Sequence, residues 1–440
     1  MRIPFLRTTL AISLAAASPY TLANGLAINE QSASGAGTAY AGRASSALDA
    51  STIYGNPAGL SKLKGTQVSG GLAAIHANVD IKQNGGTAEG RNKGDMVPFA
   101  AVPFGYFSSQ IDDNWAYGLG IYAPFGVVSD YENGFAGEAH GLKSSVRVVT
   151  VQPTISYKFN DRVAIGFGPT INRIDGELSS RLNVVAKTPI GSMPIGKPKV
   201  KVKGDDIGYG FNLGAMIDLS DATTWGITYH SKVKYKLDGD IVVSGADNPA
   251  FAMAGINNGK YKGKLDFTSP ESIDTSISHK IDDQWTVHAG ATWTRWSRLE
   301  SLQPTSSNPN AQGITANSAE ELKWEDTWAF SVGASYQVNP ELVLRAGLAY
   351  DPSPTDDKYR NVRIPVSDRG ILGLGFGWKA SENLTVDAAY AYIREKEGKV
   401  NREASGVVLP NGTPVETRPS YSAKYKNSAH GLTASATYRF

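Results

Sequence analysis

The 440-residue sequence contains no cysteine, which excludes a disulfide framework and a thiolate metal site. Neither sign of charge dominates, because 43 basic and 41 acidic residues leave a formal net charge of +2. Nucleic acid is therefore not expected as a partner, since that would favour a strongly basic face. After residue 30, no stretch of about 20 residues is both apolar and free of charge, so transmembrane helices are excluded.

The first residues have the layout of a secretory signal. Arg2 and Arg7 supply positive charge, residues 10–17 form a short apolar core, and Thr21-Leu22-Ala23 offers a small-residue cleavage site. We therefore predict a signal peptide over residues 1–23 and a mature chain that begins at Asn24.

From about Thr66 onward, runs of apolar residues that alternate with small or polar ones predict β-strands. In residues 432–440, for example, leucine, alanine and aromatic side chains alternate with threonine, serine and arginine. The apolar face of such a strand meets a second sheet in a soluble sandwich, whereas in a membrane barrel it meets lipid.

The lengths of the connections favour the barrel. Six short polar turns alternate with seven long loops, as periplasmic turns and extracellular loops do, and together they join fourteen strands. The turns are at 112–114, 160–161, 220–221, 282–283, 339–340 and 381–383, and the loops are near 83–96, 127–142, 183–204, 245–262, 304–320, 352–366 and 398–424.

Three tryptophans support the same interpretation. Trp115, Trp225 and Trp285 each open a strand shortly after a turn, at the depth of an aromatic girdle. The alternative is tryptophan in a soluble core. We predict an all-β fold, a 14-stranded antiparallel transmembrane β-barrel over residues 64–440, in the outer membrane of a Gram-negative bacterium.

Residues 24–63 do not alternate and are rich in Gly, Ala and Ser. A barrel of this size leaves space inside, and small residues let a backbone pass close to the wall. We predict that this segment is a plug in the lumen, with a disordered periplasmic tail as the alternative. Asn56-Pro57 marks a turn within it.

The plug sequence resembles that of the FadL family of outer-membrane transporters for long-chain fatty acids and other hydrophobic compounds. The Asn56-Pro57-Ala58 element matches the signature of that family's hatch, and further similarities run through the whole mature chain. They include Gly25-Leu26, Asn29-Glu30, Ser34-Gly35-Ala36-Gly37, Tyr122-Ala123-Pro124-Phe125-Gly126, Ser269-Pro270-Glu271, Asp351-Pro352-Ser353-Pro354 and Ile364-Pro365.

The resemblance implies a fourteen-stranded barrel closed by an N-terminal hatch, and it implies a transport mechanism. Ligand is caught among the extracellular loops, passes to an apolar pocket over the hatch and leaves sideways at a kink in the third strand. Pro124, Phe125 and Gly126 match that kink, and both proline and glycine are apt there because they weaken a strand ladder. The alternative is that the strand simply ends there.

The ligand is less defined by the sequence. Long-chain fatty acids are the first expectation, and aromatic hydrocarbons, which need no partner for a carboxylate, are the alternative. Arg181 and Lys323 are the nearest candidates for a carboxylate partner by region, although either is also compatible with a solvated loop charge. No cofactor and no metal site are expected.

Two other functions are alternatives for such a barrel. A barrel enzyme such as a lipase or protease needs a base beside a nucleophile, and an open porin needs a wide, charged pore. The six histidines show neither a Ser-His pattern nor metal-ligand spacing: His76, His140, His230, His279, His288 and His430.

A basic run in the third long loop suggests a further partner. This run could contact lipopolysaccharide phosphates or attract anionic amphiphiles, and the default interpretation is a solvated loop without a specific partner. It consists of Lys187, Lys197, Lys199, Lys201 and Lys203. We expect the protein to be a monomer whose partners are a hydrophobic ligand, outer-membrane lipid and lipopolysaccharide.

Overall fold

The computed structural model describes residues 25–92, 96–409 and 412–440. The predicted signal peptide, residues 1–23, lies outside the described residues. None of the helices in the described ranges combines the length and apolar character that crossing a membrane requires.

Strands make up most of the described chain. In chain order they are β1 (Thr66–Gly86), β2 (Ala100–Gln110), β3 (Trp115–Asp130), β4 (Lys143–Lys158), β5 (Val163–Arg181), β6 (Val184–Thr188), β7 (Gly191–Gly196), β8 (Lys199–Ser220), β9 (Thr223–His230), β10 (Val233–Ser244), β11 (Gly259–Ser269), β12 (Ser272–Lys280), β13 (Trp285–Thr294), β14 (Ser301–Leu302), β15 (Glu320–Glu321), β16 (Thr327–Asn339), β17 (Leu342–Asp351), β18 (Arg369–Lys379), β19 (Leu384–Glu395), β20 (Gly398–Arg402), β21 (Ser405–Val408), β22 (Pro414–Arg418) and β23 (Tyr421–Arg439).

Helices are short and lie in the N-terminal segment or in loops. The α-helices are Ala33–Ala36, Thr52–Gly55, Pro249–Met253 and Pro309–Asn317, and the 3-10 helices are Pro57–Lys62 and Trp296–Arg298.

The main sheet closes on itself, because β1 pairs with both β2 and the last strand, β23. The ring has fourteen positions around the barrel, each filled by one strand or by two consecutive strands. Two consecutive strands fill three of these positions: β9 with β10, β11 with β12, and β19 with β20. All pairings are antiparallel, so the predicted 14-stranded barrel is confirmed. Closure gives most strand edges a partner within the membrane, where a free backbone group would have none.

The two faces of the wall differ as expected for a membrane barrel. On β8, Tyr209, Phe211 and Leu213 are exposed, whereas Asn212 between them is buried in the lumen. Trp115 and Trp285 are also exposed on the outer face, each beside a cross-strand tyrosine with ring centroids 4.6 and 4.7 Å apart. These tryptophans follow short turns, so the aromatic girdle lies at the end of the barrel that holds those turns.

The long loops at the other end are more ordered than their sequence suggested. The predicted loop 183–204 is too long, because β8 already begins at Lys199 and the loop before it contains β6 and β7. The predicted loop 398–424 contains β20, β21 and β22. The reason is that strands project beyond the membrane, where both faces carry polar residues and the alternation of apolar side chains disappears.

The N-terminal segment, residues 25–63, packs against the inner face of the wall. Several glycines of the wall have no room for a side chain because the backbone of this segment lies against them. A Cβ added at Gly226 would be 1.8 Å from the carbonyl oxygen of Ala44. A Cβ added at Gly347 would be 2.1 Å from the carbonyl oxygen of Thr38. These contacts involve β9 and β17, which lie four strand positions apart in the ring. Glycine therefore lets the segment and the wall approach closely.

We predict that Gly226→Ala destabilises the protein, because the new methyl group overlaps the backbone of the N-terminal segment. Overpacking of this kind costs about 1–3 kcal/mol, to be measured as a lower free energy of unfolding in detergent. Gly105→Ala is the matched control, since its Cβ would meet nothing within 4 Å. Equal stability of the two variants would contradict the close contact.

Candidate functional site

The third strand, β3, contains a bulge. It pairs with β4 through Tyr122 and Thr150 below the bulge and through Phe125 and Val148 above it. Two residues of β3, one of them Pro124, therefore lie opposite a single residue of β4. An extra residue bends its strand, and proline cannot donate to the ladder.

The wall between β2 and β3 is open above this point. Their pairing ends at Gly105 and Ile121, although β2 stays paired with β1 as far as Ala100 and β3 stays paired with β4 as far as Asp130. The opening is bounded at the loop end by a 2.6 Å hydrogen bond from the Asp130 N–H to the Met96 carbonyl. The edge of β3 that faces β2 thus has no barrel strand as a partner over this stretch.

The start of the N-terminal segment occupies that edge. Ala27 forms an antiparallel bridge with Phe125. Two main-chain hydrogen bonds of 2.9 Å flank this bridge, from the Ile28 N–H to the Pro124 carbonyl and from the Gly126 N–H to the Leu26 carbonyl. Residues 26–28 therefore satisfy backbone groups that the opening leaves without a strand.

Side chains reinforce the contact. Gln31 donates a hydrogen bond to the Ala123 carbonyl, and the Tyr106 hydroxyl donates to the Gln31 carbonyl at 3.0 Å. Ile28 is fully buried in a cluster with Ala73, Val102 and Ala123 from the first three strands.

Arg43 joins the same segment to the far wall. Its guanidinium forms a buried ion pair with Asp274 of β12 and donates to the Asn29 side-chain oxygen at 2.9 Å. The second oxygen of Asp274 faces His230 Nε2 at 3.2 Å. Arg43 thus connects residues close to the bulge with β12, which lies five strand positions from β3 in the ring.

The Asn56-Pro57-Ala58 element lies against β5 and β8. The buried Asn56 amide donates to the carbonyls of Ala44 and Ala215 at 2.6 and 2.9 Å, and its oxygen accepts from the Ala58 N–H at 3.0 Å. Pro57 starts the 3-10 helix, where its missing N–H is not needed. Ala58 is buried with Ala164 and Met216. The motif is an anchor between the segment and the wall.

A largely apolar cavity lies on the loop side of the N-terminal segment. It comprises about 810 Å³ of space free of protein atoms, including its open mouth. Its apolar lining comes from the segment, from six barrel strands and from two loops, and includes Leu26, Val127, Ile174, Leu237, Phe267 and Leu322. Leu26 is therefore both a wall of this cavity and a part of the contact with β3.

One end of the cavity is charged. Arg363, Glu320 and Asn361 line it, and Glu320 also pairs with Arg402 and Arg418 at 3.2 and 3.5 Å. Three guanidiniums thus surround one carboxylate. The Nε of Arg363 lies 3.8 Å from Glu320 and has no hydrogen-bond partner among the described residues, and the same holds for two nitrogens of Arg418.

Burial affects this guanidinium strongly. Loss of water lowers the pKa of Arg363 to about 10, although Glu320 acts in the opposite direction. The group is still charged at neutral pH. It is held in place by hydrogen bonds from Nη1 to the carbonyls of Lys143 and Ser179 and to the Ser144 hydroxyl, at 3.2, 3.0 and 3.2 Å. A fixed, buried cation with a free donor is suited to an anion.

The two basic residues expected from sequence lie elsewhere. Lys323 is half-exposed and pairs with Glu321 at 2.9 Å, with its ammonium 5.2 Å from the centre of the Tyr359 ring. Arg181 ends β5, where its side chain reaches Asn133 at 3.5 Å. Neither is among the residues that line the apolar cavity. Their role as ligand contacts stays a prediction.

Sequence reasoning missed Arg363, whose partners are far away in the chain. The signal that could have found it is local: an arginine stands within the otherwise apolar stretch Val362-Arg363-Ile364-Pro365-Val366. A charge flanked by residues that favour burial predicts a buried and therefore specific role.

One serine–histidine contact bears on the enzyme alternative. Ser278 Oγ lies 2.8 Å from His288 Nδ1, and the other ring nitrogen faces the Ser335 hydroxyl at 3.3 Å rather than a carboxylate. Ser278 also contacts the hydroxyls of Ser45 and Ser46. The contact joins the N-terminal segment to the wall and lacks the acid that orients a catalytic histidine.

Comparison with known proteins gives a consistent result. The profile of the family described as "Outer membrane protein transport protein (OMPP1/FadL/TodX)" matches residues 14–440. A long-chain fatty acid transport protein of Escherichia coli O6:H1 is 27% identical, over 90% of this chain and 92% of its own.

Two solved structures extend the comparison. A Pseudomonas aeruginosa FadL homologue superposes with a TM-score of 0.80 at 25% identity, covering 94% of this chain and 100% of that one. The toluene transporter TodX of Pseudomonas putida has a TM-score of 0.64 at 17% identity, over 95% and 100% of the two chains, which shows a shared fold.

We predict that Arg43→Met lowers the free energy of unfolding by about 3–5 kcal/mol, because it leaves Asp274 buried without its cation. Guanidinium unfolding in detergent micelles measures the change. Arg173→Met is the matched control: Arg173 pairs with Asp175 and Asp205 on the exposed outer face, so a loss below about 1 kcal/mol is expected. A small loss for Arg43→Met would show that the pair does not hold the segment.

Proposed function

The chain belongs to the outer membrane protein transport protein family (OMPP1/FadL/TodX), and we propose that it imports long-chain fatty acids by binding them in the apolar cavity and releasing them sideways at the β3 bulge. Family membership and the fold make it an outer-membrane β-barrel for hydrophobic compounds. The relatives named above are transport proteins and not enzymes.

The apolar cavity supports an acyl chain as ligand. Each buried CH₂ contributes about 0.8 kcal/mol, so a chain of about 16 carbons gains on the order of 10 kcal/mol in such surroundings. Leu26, Ile174, Leu237 and Phe267 offer this environment on several sides. Release into water would lose this free energy of burial and is therefore unfavourable. Release into lipid keeps the acyl chain in apolar surroundings.

The charged end of the cavity is the observation that carries the choice of ligand. Arg363 lines the cavity, and its Nε has no hydrogen-bond partner among the described residues. The cluster around Glu320 holds two more positive than negative charges. A carboxylate head group would accept hydrogen bonds from these nitrogens. An aromatic hydrocarbon, the alternative ligand, would leave the buried donors unpaired, which costs about 1–3 kcal/mol or more for charged groups.

The opening between β2 and β3 supports the exit route. It lies beside Leu26, which lines the cavity, and it is occupied by residues 26–28 rather than by a strand. A ligand that displaces Leu26 weakens the contacts of the Ala27–Phe125 bridge. In this proposal Pro124, Phe125 and Gly126 are the gate, and residues 25–63, anchored by Asn56-Pro57-Ala58, act as the hatch.

We predict that Arg363→Met weakens palmitate binding about 10- to 100-fold, corresponding to loss of a charged hydrogen bond of about 1.5–3 kcal/mol. Binding of hexadecanol, which has the same chain and no charge, is expected to change little. Calorimetric titration in detergent measures both affinities.

Lys358→Met is the control for this experiment, because Lys358 lies in the same loop as Arg363 but is exposed and does not line the cavity. It is expected to bind palmitate as the unmodified protein does. An equal loss of hexadecanol binding in Arg363→Met would point to a disturbed cavity, and unchanged palmitate binding would favour the hydrocarbon alternative.

A disulfide tests the exit route. Ala27 and Phe125 form a non-hydrogen-bonded antiparallel pair, for which the Cα atoms lie about 4.5 Å apart and suit a disulfide. With Ala27→Cys and Phe125→Cys, we expect palmitate uptake by cells to stop under oxidation and to recover on reduction. The chain has no other cysteine to interfere.

The matched control joins Ser69→Cys to Thr437→Cys, two facing residues of β1 and β23 whose side-chain oxygens are 2.8 Å apart. These strands are already paired, so uptake should persist when they are cross-linked. Normal uptake by the oxidised Ala27–Phe125 variant would refute sideways exit at β3.

A further inference from the structure

Three neighbouring strands carry lysines on their outer face at the loop end of the barrel. In β8, β10 and β11 the outward positions alternate with buried ones. We call these residues the lysine face; they are Lys199, Lys201, Lys203, Lys234, Lys236, Lys260, Lys262 and Lys264.

The lysine face lies directly next to the surface that contacts lipid. On β8 the outward residues change from Lys203 and Asp205 to Ile207, Tyr209 and Phe211, the last three of which are exposed apolar side chains. Because the long loops lie at this end, the face is at the level of the head groups of the outer leaflet. It is part of the wall of the barrel and not a flexible loop.

The face has an excess of positive charge. Four aspartates, Asp205, Asp238, Asp240 and Asp266, share the outer surface of the same strands, and Glu177 of β5 pairs with Lys201 and Lys203. Five acids therefore face eight lysines, which leaves a net charge of +3.

The ammonium groups of the lysine face differ in their acidic partners. Lys260, Lys262 and Lys264 pair with Asp240 or Asp238 at 3.0 to 3.3 Å but stay largely exposed. Lys234 and Lys236 are exposed and form no side-chain ion pair among the described residues. Lys234 and Lys236 can therefore approach a phosphate without losing an ion pair.

We propose that the lysine face binds the phosphate groups of lipid A, the lipid part of the lipopolysaccharide in the outer leaflet. The partner follows from position and charge: the face borders the apolar belt, so its occupant is a lipid, and it is cationic, so the head group is anionic. Of the five loop lysines singled out in the sequence, Lys199, Lys201 and Lys203 belong to this face.

The other two lysines of that run do not belong to it. Lys187 lies on the loop strand β6 and pairs with Glu416, and Lys197 pairs with the buried Glu138. The proposal is independent of the identity of the transported ligand, since no residue that it tests has been placed at the charged end of the cavity or at the β3 bulge.

The test compares two triple variants that remove the same number of charges. Lys234→Gln, Lys236→Gln and Lys262→Gln change the face at residues that do not line the apolar cavity. Lys82→Gln, Lys424→Gln and Lys426→Gln change the loop end of β1 and β23, where Glu397 pairs with Lys424 and Lys426 at 2.9 and 3.4 Å. Native mass spectrometry of the folded full-length protein in detergent measures binding of bisphosphorylated lipid A.

We expect the face variant to bind lipid A about 100-fold more weakly, since each lysine near an anionic lipid surface contributes about a factor of five. The control variant should bind normally. Fully dephosphorylated lipid A should bind equally to the unmodified protein and to both variants.

Three results would overturn the proposal: unchanged lipid A binding by the face variant, the same loss in both variants, or a difference that persists with dephosphorylated lipid A. Competition by millimolar inorganic phosphate would assign the face to free phosphate instead of lipid. Resistance of each variant to unfolding by dodecyl sulfate at room temperature verifies that the barrel is intact.

Discussion

The constraint on which this structure depends is that backbone groups within a membrane must be hydrogen-bonded by the protein itself. A closed antiparallel ring meets this requirement along most of the wall. It fails between β2 and β3 above Gly105 and Ile121, where the strands part. The N-terminal segment meets the requirement there, through the two hydrogen bonds that flank the Ala27–Phe125 bridge.

The same segment connects the features that matter for transport. Leu26 lines the apolar cavity, residues 26–28 cover the opening, Arg43 joins Asn29 to Asp274 across the lumen, and Asn56 anchors the far end to the wall. Cavity and opening therefore share a short piece of backbone. This arrangement gives the proposed transport a simple physical form, in which filling the cavity and uncovering the exit are one movement.

The barrel could be predicted from the sequence because its signals are local. A two-residue period in residues 432–440 and a polar turn at 282–283 are visible within a few positions. The charged end of the cavity could not be predicted in this way, since Glu320, Arg363, Arg402 and Arg418 come from three separate loop regions. Loop strands such as β6 and β7 were not predicted for a related reason. Outside the membrane a strand does not have one face on lipid and the other on the lumen, so its apolar and polar side chains need not alternate.

Hydrogen exchange at two amides tests the central claim most directly. The N–H groups of Ile28 and Gly126 make the hydrogen bonds that cover the opening. If ligand binding moves the segment off β3, both amides should exchange slowly in the ligand-free protein and markedly faster once palmitate is bound. Exchange that stays slow with palmitate bound, in a protein that transports it, would contradict the account.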